Sequence, residues 1–112
     1  MEFGDNRRMG QRASEAHDQL LRELNEERMA ALLRISRTLE SLIAQLHDAR
    51  DRIVHAHGED RDREVAAYRE LRQRAVKYRW YLEVQREAMG LRHHERLDEF
   101  YPVPPSEPVP QL

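Results

Sequence analysis

Between Ser14 and His57 the chain has no glycine and no proline, and its apolar residues recur every three or four positions. Leu21, Leu32, Ile35, Leu39, Leu42, Leu46, Ala49, Ile53 and Ala56 form the series, with Asn25 and Arg28 as its polar interruptions. That period places the apolar side chains on one stripe of an α-helix, with the spacing of a coiled-coil seam. Ser14 followed by Glu15 reads as an N-cap with an acidic first turn. A helix over about 14–57 would be roughly 65 Å long at ~1.5 Å per residue. No compact globule of 112 residues has that diameter, so the molecule is expected to be elongated unless the helix breaks.

Gly58 is the first breaker after this run. A turn is expected at 58–59 and a second helix over about 60–89, ended by Gly90. The second seam is Tyr68, Leu71, Ala75, Tyr78, Leu82 and Met89, with Gln85 as its polar exception. Two long amphipathic helices joined by a short connection make an antiparallel hairpin. Its length is similar to that of small secreted helical hairpins that turn on Trp-x-Gly, but the turn here, His57-Gly58-Glu59, has no Trp and departs from that pattern.

The expected fold class is all-α: a coiled-coil-like hairpin over 13–90, a short helix or capping segment over 91–101, and an extended Pro-rich tail over 102–112. All five prolines fall in that tail. Proline lacks the N–H that a helix needs, so the tail is expected to be polyproline II or disordered. Residues 1–12, with Gly4, Asp5, Asn6 and Gly10 and no apolar period, read as a flexible arm. Folding back at Gly58 sets the end of helix 2 beside about residue 27. The start of helix 1 then overhangs, and Leu91, Leu97, Phe100 and Tyr101 are expected to cover its Leu20, Leu21 and Leu24.

Helix 2 carries more apolar residues than a hairpin can bury. Val76, Trp80, Val84 and Ala88 form a second stripe at four-residue spacing, and Tyr81 lies between the two stripes. This face is expected to be an interface, because Trp and Tyr are frequent anchors at protein contacts. Its occupant would be the overhanging start of helix 1, the C-terminal segment, a second copy completing a bundle, or another protein.

Other chemistry is sparse. His47, Asp51 and His55 share a helix face and are candidate metal ligands, although the same spacing describes the solvated back of helix 1. His55-Ala56-His57 and His93-His94-Glu95 are short His clusters. A ferritin-like di-iron site needs Glu-x-x-His, and no Glu here has a His three residues after it. Ser14, Ser36 and Ser41 lie in helical pattern with no evident base, and there is no Gly-x-Ser-x-Gly, phosphate-binding glycine loop or His-Glu-x-x-His. No catalytic residue and no cofactor is expected.

Arg72, Arg79 and Arg86 repeat at seven residues, with Arg69 beside them. These four are candidate nucleic-acid contacts. The interleaved Glu64, Glu70, Glu83 and Glu87 suggest instead a salt-bridged surface, and a net charge of −2 is not the basic excess of a general nucleic-acid binder. Only Lys77 among the 19 Lys+Arg is lysine, the usage expected of a GC-rich, bacterial genome. With no cysteine there is neither a disulfide framework nor a thiolate site. The N-terminus lacks a basic stretch followed by an apolar one, and the longest apolar run is Met29 to Leu33. A cytoplasmic protein without membrane association is therefore expected. The expected function is a non-catalytic interaction, scaffold or adaptor protein, a small subunit of a larger assembly. The alternatives are a nucleic-acid-associated regulator and a helical-bundle metal protein or enzyme.

Overall fold

A computed structural model describes residues 2–108, with side chains over 8–108. Helix α1 spans Glu2–His55, α2 spans Gly58–Ala88 and α3 spans Leu97–Phe100. There is no strand among the described residues. The long helices α1 and α2 pack against each other as an extended hairpin. The molecule measures 87 × 24 × 14 Å, with a radius of gyration of 23.2 Å. A compact chain of this length would have a radius of gyration near 13 Å, so the long helix sets the shape.

The core is the two seams. Leu39, Leu42, Ile43, Leu46, Ala49 and Ile53 of α1 are buried against Tyr68, Ala75 and Leu82 of α2. Leu32, Ile35, Val65, Leu71 and Tyr78 are half-buried around them. The buried α2 residues recur every seven positions, the repeat that keeps one stripe facing a neighbouring helix.

Three boundaries differ from expectation. The arm expected over 1–12 is helical from Glu2 onward, and Ser14 lies inside α1 rather than capping it. Gly4 and Gly10 each cost about 1 kcal/mol against Ala, but extending an existing helix requires no new nucleus. The turn falls at Ala56-His57, two positions earlier than 58–59. Ala56 N–H donates to the Ile53 carbonyl and tightens the last turn of α1. His57 is extended, and its carbonyl accepts from Arg61 N–H at 3.3 Å, which starts α2. Gly58 reverses the chain with φ of +56°, a conformation that glycine adopts without strain. Over 91–101, only Leu97–Phe100 is helical.

Gly90 ends α2 as the sequence predicts, with φ of +84°. Its N–H donates to the Glu87 carbonyl and Leu91 N–H donates to the Arg86 carbonyl, both at 2.9 Å. This is a Schellman cap.

The tail is extended, as expected, and ordered on the hairpin through Pro108; 109–112 lie outside the described residues, as does Met1. Pro104 and Pro108 are buried, and Val103 and Tyr101 pack on the core. The Tyr101 and Ser36 hydroxyls are hydrogen-bonded to each other, and Arg50 meets Pro108. The tail therefore runs parallel to α1. From Ser36 to Arg50 the helix advances roughly 21 Å at ~1.5 Å per residue, and an extended chain from Tyr101 to Pro108 advances about 22 Å at ~3.1 Å per residue. The two paces match.

Candidate functional site

The second stripe of α2 is bare. Trp80 is 58% exposed, Val76 44% and Val84 43%, and Ala88 is exposed beside them. Tyr81 is half-buried and joins this face to the core. Its ring meets Tyr78 edge-on, with centroids 5.4 Å apart, and meets Trp80 at 5.6 Å. Lys77 Nζ lies 5.8 Å from the Tyr81 ring centre, within cation–π range. The aromatic ladder thus braces Trp80 from one side while its outer surface stays open. Among the described residues neither the C-terminal segment nor the start of α1 covers it, so two of the four coverings that the sequence allows lose support.

The expected cover of the α1 overhang is not formed. Leu97 is buried and Tyr101 packs on the core, but Leu91 and Phe100 remain exposed. Leu20, Leu21 and Leu24 are exposed as well. The reason is reach: after Gly90 the chain turns back along the hairpin instead of continuing beside the overhang. A hollow of about 330 Å³ marks the fork where α1 continues alone, lined by Leu32, Leu33, Leu82, Arg86 and Phe100 among others.

The four arginines considered for nucleic acid all engage the C-terminal segment. Arg86 donates to the His93 carbonyl at 2.9 Å and to His94 Nδ1 at 3.4 Å. Arg79 pairs with Asp98 at 3.0 Å and with Glu83 at 2.6 Å; its Nε is buried without a partner. Arg72 Nε donates to the Pro104 carbonyl at 2.7 Å, and Arg69 meets Glu107 at 3.3 Å. Descending α2, the partners ascend the chain, so the segment runs antiparallel to α2. On its other side the His94 ring places Nε2 at 3.1 Å from a Glu87 carboxylate oxygen.

Tyr68 and Arg50 complete the clamp. Tyr68 donates its hydroxyl proton to the Pro105 carbonyl at 2.6 Å, and Arg50 Nε donates to the Pro108 carbonyl at 2.7 Å. A proline has no N–H to orphan when buried, but its carbonyl still needs a donor. Arg50, Tyr68 and Arg72 supply three. Burial pushes the Tyr68 phenol above its ordinary pKa, while Arg50 and Arg72 pull in the opposite direction.

His47, Asp51 and His55 are exposed on the outer side of α1. Asp51 and His55 border a shallow hollow with Arg52, Ala56 and Glu64, where Arg52 Nε donates to Glu64 at 3.3 Å. Among the described residues no three His, Asp or Glu side chains come together as a metal-binding group. No described helix is long and apolar enough to cross a membrane. The chain matches no protein-family model, no curated protein and no solved structure.

Proposed function

We propose that this protein is a non-catalytic interaction or scaffold subunit, and that Val76, Trp80, Tyr81, Val84 and Ala88 of α2 form its contact face. The observation that carries this reading is Trp80, 58% exposed in the middle of an apolar stripe that the described residues leave uncovered. A large aromatic held by Tyr81 and surrounded by aliphatic side chains suits an anchor residue at a protein contact. The Arg-rich side of α2 gives less support to a nucleic-acid reading, since Arg69, Arg72, Arg79 and Arg86 already have partners within the chain.

Trp80→Ala tests the proposal. The side chain lies outside the hairpin core, so the variant should unfold at nearly the wild-type urea concentration. Assembly mass by light scattering, or capture of a partner on the immobilised chain, should fall at least tenfold in affinity, equivalent to about 1.4 kcal/mol or more. Unchanged mass and unchanged capture would remove α2 as the contact face.

A further inference from the structure

The groove that holds the tail is built by the hairpin. Arg50 stands on its α1 side, and Tyr68 and Arg72 stand on its α2 side, with the Tyr68 ring fixed in the helix–helix seam. Its three donors all meet backbone carbonyls, those of Pro104, Pro105 and Pro108. The contact therefore reads the path of a chain and few of its side chains. Between Pro102 and Pro108, Val103 packs on the core and Pro104 and Pro108 are buried, while Pro102, Pro105, Ser106 and Glu107 are exposed.

Proline is the residue that suits such a groove. At the two buried positions any other residue would bring an N–H, and Arg50 and Arg72 have no lone pair to accept it. A polyproline II segment is also extended before it docks, so binding orders it little. The hold on the tail is separable from the rest of the fold. Upstream of the groove, Leu97 is buried and the Tyr101 hydroxyl is bonded to that of Ser36. Residues 102–108 can leave the groove with both of those contacts intact.

We propose that this groove is a docking site for a proline-rich segment of a partner protein, in which an aliphatic–Pro pair is followed four residues on by a second Pro, as in Val103-Pro104 and Pro108. The tail is its internal occupant, and the partner's segment takes the same place once the tail swings out about Tyr101. The site is separate from the Trp80 face, and the two stand or fall independently.

The test uses the full chain and a fluorescein-labelled peptide with the sequence of residues 102–108. A tethered segment competes at an effective concentration of the order of millimolar, so wild type is expected to bind the peptide weakly. The tail variant Val103→Ser, Pro104→Gly, Pro108→Gly loses the three inward groups, and fluorescence anisotropy should show binding about tenfold tighter or more. Adding Arg72→Ala to that variant should weaken binding by about tenfold, the worth of one hydrogen bond from a charged donor. A peptide carrying Ser106→Ala and Glu107→Ala should bind like the original, and one carrying Pro104→Ala and Pro108→Ala should bind about tenfold more weakly or worse. The unlabelled peptide should also raise the urea midpoint of the tail variant, because binding stabilises the folded state by mass action. That second reading holds even where the substitutions loosen the hairpin. Absence of both binding and midpoint shift, binding indifferent to Arg72, or binding that follows Ser106 and Glu107 instead of the prolines would each overturn the proposal. So would a doubled mass for Trp80→Ala that the tail substitutions abolish, which would give the groove to the tail of a second copy.

Discussion

Tyr68 joins the two helices and the tail. Its ring is fully buried in the helix–helix seam, and its hydroxyl reaches past the seam to the Pro105 carbonyl. Replacing it with Phe keeps the ring and removes the donor. The expected cost at neutral pH is about 1 kcal/mol, the usual net value of one hydrogen bond. The pH dependence separates this contact from simple packing. Burial, partly opposed by Arg50 and Arg72, raises the phenol's pKa in the folded chain. The folded state thus holds the proton more tightly than the unfolded one. Its contribution is complete below the unfolded value of about 10 and is lost as pH rises through the folded value. Urea unfolding should show wild type losing stability more steeply than Tyr68→Phe above pH ~10. Parallel alkaline profiles would mean that the phenol is not the group responsible.

At the scale of the element, the tail acts as the third rod of a bundle. It contributes buried Pro104 and Pro108 and gives three carbonyls to donors on both helices. Ending the chain after Tyr101 should therefore destabilise the hairpin by about 2 kcal/mol, the order of one buried side chain lost. A urea midpoint unchanged by truncation would show that the tail rests on the hairpin without supporting it. Both helical seams could be read from three-and-four spacing, and Gly90 from its place after the last apolar residue. Docking of the tail could not, because a proline carbonyl meeting an arginine leaves no periodic trace in the tail itself. The trace lies on α2. Arg72, Arg79 and Arg86 share a face because seven residues are close to two helical turns, and what meets that face is Pro104, Asp98 and the His93 carbonyl in turn. The same repeat fits a phosphate backbone or a solvated surface, so spacing alone does not choose between them. The start of α1 was obscured for a different reason: Gly4, Gly10 and Ser14 carry loop-like local preferences, which a growing helix overrides.

At the scale of the whole molecule, the 87 Å length divides into a supported part and a bare part. The hairpin and tail share the buried core, whose α1 members begin at Leu39, with Leu32 and Ile35 at its margin. Residues before 25 add length and exposed leucines but no buried side chain among those described. Removing residues 1–24 should therefore shorten the molecule by about 36 Å, measurable by small-angle scattering. Stability of the hairpin at low protein concentration should stay within about 0.5 kcal/mol of wild type, as for surface changes that touch no buried group. Concentration is the informative variable. If the chain associates with a second copy, its unfolding midpoint rises with protein concentration, since association stabilises the folded state by mass action. The trimmed chain should keep its low-concentration midpoint. A trimmed chain that unfolds early at every concentration would mean that the first 24 residues support the hairpin itself. A full chain with no concentration dependence would mean that it does not assemble with copies of itself.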